Sequence, residues 1–212
     1  MRDILPIVIQ FAVVMFAISV HEAAHAWTAD RFGDPTAKLQ GRITLNPIPH
    51  IDIVGTIIFP LLLAVMGQPV FGWAKPVMVN PYNLRNPRRD HMYVAAAGPV
   101  SNLLVATVAI ILFWVVRKID LYALIGSSSG VVEGILFYLI IINVFLALFN
   151  LIPVPPLDGS GILEGLLEGE ALRIYLSIKP YGFIILIGII YLNIFDYIAR
   201  PILRVVQALL PL

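Results

Sequence analysis

Residues 4–31 read ILPIVIQFAVVMFAISVHEAAHAWTADR, and this stretch decides how the rest of the chain is read. Up to Val20 it is almost wholly apolar, and with its continuation it has the length of about 20 residues that a helix needs to cross a bilayer. Towards its end it carries His21-Glu22-Ala23-Ala24-His25. On a helix, residues four apart share one face, so the two imidazoles stand one turn apart and can grip a single metal ion. Glu22 lies beside them, where a carboxylate can take a proton from water. Zinc lowers the pKa of water towards neutrality while a neighbouring glutamate acts as general base, which is the chemistry of the HExxH arrangement. In hydrocarbon each ionisable group costs roughly 2.5–3.5 kcal/mol even on the lenient insertion scale. Three such groups within five residues need a shared partner, and a metal ion supplies one better than a purely structural polar cluster does.

Composition agrees with a membrane setting. Of 212 residues, 59% are hydrophobic and 13% charged, and the mean hydropathy is +0.91. A soluble domain of this size could not hide so much apolar surface. The net charge of +1 leaves no basic face for nucleic acid. There is no cysteine, hence no disulfide and no thiolate-bound metal. The first segment carries the HExxH string, so it reads as part of the mature protein and not as a cleaved signal.

The chain reads as one all-α, multi-pass membrane domain over 1–212, with four to six membrane helices. Full spans are expected at 4–30, 92–116, 131–152 and 181–198. The stretch 51–66 is apolar but short and interrupted by Gly55 and Pro60, and reads as a re-entrant segment. The tail, 199–212, mixes Arg200 and Arg204 with leucines and valines and is expected to lie in the interface. Arg31, Lys38, Arg42, Lys75, Arg85, Arg88 and Arg89 fall between the first two full spans, and Arg173 and Lys179 between the last two. By the positive-inside rule these regions face the cytoplasm, which puts the HExxH string about two turns from that side.

Residues 69–80, PVFGWAKPVMVN, are expected to form a short β hairpin between the first two spans, with an edge to which an extended peptide could add. The second span opens with Gly98-Pro99-Val100-Ser101-Asn102, where Gly and Pro suit close packing. The amide of Asn102, inside an apolar helix, needs a partner: another helix, a substrate backbone or a catalytic group. The third span ends at Asn150-Leu151-Ile152-Pro153-Val154-Pro155-Pro156-Leu157-Asp158-Gly159. Its prolines forbid a continuous helix. Asp158 then falls in an extended stretch at the depth of His21 and His25, either as a third ligand that leaves a fourth position for water or as the N-cap of a short helix over 159–167. Asn150 caps the unwinding or meets an extended substrate. His50, after Pro47 and Pro49, and His91, beside Asp90, have no partner at ligand spacing and are read as interfacial. Glu164 belongs to a solvated helix face.

Together, His21-Glu22-x-x-His25 in a membrane helix, Gly98-Pro99-x-x-Asn102, and Asn150-x-x-Pro153 with Leu157-Asp158-Gly159 resemble the site-2 protease family of intramembrane zinc metalloproteases. The stretch Gly72-Trp73-Ala74-Lys75-Pro76-Val77 with the basic loop 85–90 looks like its compact prokaryotic members, without a PDZ or CBS domain. The resemblance covers residues 8–165. It implies one Zn2+ per chain held by His21, His25 and Asp158, with Glu22 activating water and Asn102 and Asn150 handling substrate. It also implies a substrate that is itself a membrane protein, cut within or near a transmembrane helix. Two other classes compete with an enzyme. A zinc transporter would need polar residues spread across the bilayer, whereas these cluster near one face. A catalytically idle scaffold would have no use for a complete ligand set beside an intact Glu22.

Overall fold

The computed structural model describes residues 4–67, 72–119 and 129–210. Every regular element among them is helical. The framework is α1 (Ile4–Phe32), α4 (Pro87–Lys118) and α5 (Ser129–Asn150), with α4 packed against both of the others. Between α1 and α4 lie a one-turn α2 (Thr36–Leu39), a π-helical turn (Ile53–Ile58) and a short α3 (Phe59–Val65). After α5 come α6 (Asp158–Leu166), α7 (Gly169–Ile178), α8 (Gly182–Tyr191) and α9 (Ile194–Ala208). Among the described residues, four helical stretches are long and apolar enough to cross a membrane: Leu5–Phe32, Pro87–Lys118, Gly130–Asn150 and Gly169–Tyr191.

Lipid offers no hydrophobic drive between helices, so close association depends on small residues that let backbones approach. Ala17, Ala26 and Ala29 of α1, Ala106 and Ala109 of α4, and Ala147 of α5 are buried accordingly. Large side chains on the same helices turn outward, among them Phe11, Leu104, Val108, Ile111 and Trp114. One end of the bundle is a dry core of Ala106, Ala109 and Phe113 with Leu136, Ile140 and Val144. Val206 and Leu210, from the end of the chain, complete it.

Several expectations need correction. No strand occurs among the described residues, so the hairpin does not form; 69–71 lie outside them, and 72–80 run extended and unpaired with any second strand. The hydrogen bonds of this strap go elsewhere. Trp73 N–H donates to Gly55 O at 3.1 Å and Lys75 N–H to His50 O at 2.9 Å. The Val77 and Asn80 N–H groups are taken by carboxylates of Glu22 and Asp34. The re-entrant segment finds no support either: a π turn and a short helix stand at 51–66, with Gly55 packed under the Trp73 indole. The fourth apolar stretch runs over Gly169–Tyr191 instead of 181–198, because α7 and α8 join through a single 3-10 turn at Lys179–Tyr181. The tail packs on the bundle through one face, with Ala199, Val206 and Leu210 buried and Arg200 and Arg204 exposed. Beyond Asn193, whose φ is 53°, α9 starts with Phe195 against Phe145 and Phe149, and it ends with Leu209 O accepting from Trp114 Nε1 at 2.9 Å. It therefore runs along the bundle, its apolar face covering α4 and α5.

Candidate metal centre

α1 presents His21 and His25 towards α4, and the proline-broken reversal after α5 brings Asp158 to meet them. Asp158 is the first residue of α6, not part of an extended stretch. Its Oδ2 lies 3.0 Å from His21 Nε2 and 3.4 Å from His25 Nε2. The two Nε2 atoms are 3.0 Å apart. Two glycines permit this convergence. A Cβ on Gly98 would lie 2.5 Å from His21 Cε1 and 2.6 Å from His21 Nε2, and closer still to His25 Nε2. A Cβ on Gly159 would strike the Leu151 and Ile152 carbonyl oxygens, so only glycine lets the chain turn back tightly enough beside Asp158.

The outer ring nitrogens fix what the inner ones can do. His25 Nδ1 faces the Val94 carbonyl at 2.7 Å and must carry the proton that it donates. His21 Nδ1 lies 2.6 Å from Asn102 Oδ1. Asn102 uses its Nδ2 to donate to Ala17 O at 3.2 Å and to Asn143 Oδ1 at 2.8 Å, so its oxygen is the acceptor and His21 Nδ1 the donor. Asn143 is set in turn by donating to Leu139 O at 2.8 Å. Each Nε2 is thus left with a lone pair pointing at the other and at Asp158 Oδ2, a buried oxygen with no hydrogen-bond donor of its own. Three acceptors within 4.8 Å repel one another unless a cation stands between them. Two imidazole nitrogens and one carboxylate oxygen, with room for a further ligand, suit zinc in an open site, and the hydrogen bonds behind them are what hold such ligands in register.

The three donors sit at the floor of a cleft of about 430 Å³. Glu22 lies on its wall, and its Oε2 accepts the Val77 N–H at 2.9 Å. Pro76, Val77, Met78 and Val79 of the strap form one side, and Asn150 another. Asn150 ends α5 and donates Nδ2 to Leu146 O at 3.0 Å. Asn102 is not on the cleft. It is fully buried behind His21, and of the partners its amide could have had it finds the neighbouring helices, through His21 and Ala17 of α1 and Asn143 of α5, and not a substrate backbone. Asn143, equally buried, is a site-supporting residue that sequence reasoning missed, although an amide in the run Ile141-Ile142-Asn143-Val144 carries the same signal as Asn102. The other histidines also depart from expectation. His50 is buried and hydrogen-bonded to Thr44 O at 3.0 Å, and His91 lines the cleft. Glu164 pairs with Lys179 at 2.5 Å.

The model of Peptidase family M50 matches residues 117–192. "Putative zinc metalloprotease YwhC" of Bacillus subtilis is 38% identical over 95% of this chain and 88% of its own length. "Putative zinc metalloprotease Rip2" of Mycolicibacterium smegmatis and its namesake in Mycobacterium tuberculosis are each 28% identical over 82% of this chain and 62% of theirs. No solved structure matches. An identity of 38% over nearly the whole chain, joined to a buried two-histidine, one-aspartate cluster in an apolar bundle, settles the family: the chain belongs to Peptidase family M50, the site-2 protease-like zinc metalloproteases.

Proposed function

We propose that His21, His25 and Asp158 hold one zinc ion, and that Glu22 is the general base in hydrolysing peptide bonds within or near transmembrane helices of other membrane proteins. The observation that carries this reading is the facing of three lone-pair donors in one buried cluster, with Glu22 on the wall of the same cleft. Zinc bound there supplies Lewis acidity, which makes water a nucleophile near neutral pH and polarises a carbonyl. Glu22 takes the proton from the attacking water and later returns one to the leaving amine. The Val77 N–H keeps its carboxylate turned to the cleft. Asn102, backed by Asn143, holds His21 so that its Nε2 stays unprotonated.

A helical substrate hides its peptide bonds in its own hydrogen bonds and must be unwound to react. The strap is suited to receive it, because its backbone is already extended and borders the cleft, where Asn150 offers a further polar contact. The cluster of basic residues between α1 and α4 supports a cell-membrane protein whose cleft opens to the cytoplasm, where water is available. A transport path is not favoured: past Asn143 the polar chain ends in the dry core around Phe113, Leu136 and Ile140. In proteoliposomes, Glu22→Gln should keep its zinc and lose cleavage of labelled transmembrane-segment reporters that the native chain cuts. Full turnover by that variant would refute the assignment.

A further inference from the structure

Arg42 is counted among the loop cations by sequence, yet it is only 3% exposed. Its guanidinium donates to three backbone carbonyls: Nη1 to Pro49 O, and Nη2 to Lys75 O and to Pro76 O, the last at 2.9 Å. A buried charge is expensive unless it is satisfied, and these carbonyls belong to two segments far apart in sequence, which the Lys75 N–H to His50 O bond also joins. The next residue after Pro76 is Val77, whose N–H is the hydrogen-bond partner of Glu22 Oε2. Farther along, the strap is pinned again, where Asp34 Oδ2 accepts the Asn80 N–H at 2.7 Å. The span between the two anchors is the length that faces the cleft. Arg42 is also close enough to Glu22 for their charges to attract.

We propose that Arg42 is a positioning residue for the reaction: it clamps the Lys75 and Pro76 carbonyls so that the Val77 N–H holds the Glu22 carboxylate in its working orientation. The proposal rests on Glu22 being the general base. Arginine is required for geometry and not only for charge, since its rigid planar fork spreads donors over carbonyls on separate segments, whereas a compact ammonium gathers its three donors at one point. The hydrogen bonds of the Arg42 guanidinium run to Pro49, Lys75 and Pro76 and not to the metal ligands, so the clamp acts on the base and leaves the metal alone.

The test compares the native chain with Arg42→Lys and with Val77→Pro, the second removing the N–H that meets Glu22. Zinc content, kcat and KM on a labelled transmembrane-segment reporter, and amide exchange over 72–80 are measured on each. Both variants should keep about one zinc per chain while kcat falls about 100-fold, the scale of a displaced catalytic group. In Arg42→Lys the exchange at Lys75 and Val77 should also rise. Native kcat in either variant overturns the proposal, as does loss of zinc in parallel with kcat, which would make Arg42 a general structural residue. If the native chain cuts no reporter, the protease reading fails by itself, and native exchange protection in Arg42→Lys then overturns the clamp while raised exchange at Val77 supports it.

Discussion

Gly98→Ala adds one methyl group at the point where α4 backs onto both histidines. Contact at 2.5 Å from His21 Cε1 falls roughly 0.9 Å short of an ordinary 3.4 Å separation, and His25 Nε2 would be nearer still. Neither ring can retreat. His21 is held from behind by Asn102 and His25 by the Val94 carbonyl, both through bonds under 3 Å. Overpacking of this kind costs about 1–3 kcal/mol in a packed interior. Metal coordination is less forgiving, since ligand distances are held to about ±0.2 Å. Displacing both rings should therefore weaken zinc by at least the 10- to 100-fold seen when only an outer-shell partner is lost. The assay is competition with a chromogenic chelator in detergent, with helix content by circular dichroism as the control. Native helicity with zinc affinity reduced at least 10-fold is the expected result. Native zinc affinity in Gly98→Ala would mean that the imidazoles do not sit where the structure puts them.

Two further substitutions probe the supports of the site. Asn143→Ala strips Asn102 of an acceptor in a buried setting, so thermal stability should fall by about 1–3 kcal/mol and zinc should dissociate faster, read by scanning calorimetry and chelator competition. Asp34 anchors the strap: burial pushes its carboxyl up, but hydrogen bonds from Thr36, Asn83 and Asn80 outweigh that and leave it below the usual carboxylate range. A depressed value in the folded state gives stability above the unfolded value of about 3.9, lost as pH falls through the folded one. The native chain should lose melting temperature below about pH 4, and Asp34→Asn should be less stable at pH 7 and lose less on acidification.

What could be read from the sequence was local or costly. Two histidines at helical spacing announce themselves, and an ionisable group in an apolar helix demands a partner, which is how His21, Glu22, His25 and Asn102 were found. Asp158 was reached because three prolines must break a helix, although the chain re-forms one at Asp158 itself. Choices among partners were not legible. Residues 72–80 have the composition of a strand, but the N–H groups of Trp73, Lys75, Val77 and Asn80 go to Gly55, His50, Glu22 and Asp34 and not to a hairpin partner. Arg42 reads as a loop charge until three carbonyls are seen around it. The tail's arginines point to an interface, but that Val206 and Leu210 complete a core with α4 and α5 is seen only in the folded chain. Gly98 could be recognised as a packing residue, but only the folded chain says that it packs on the metal ligands.

The central claim is that two histidines of α1 and an aspartate more than 130 residues later form one zinc site. Its most direct test is the zinc content of detergent-purified protein, native against His25→Ala and Asp158→Ala. About one zinc per native chain, lost in both variants, is the result this account predicts. Full zinc occupancy in Asp158→Ala would contradict it, because the third ligand would then have to lie elsewhere.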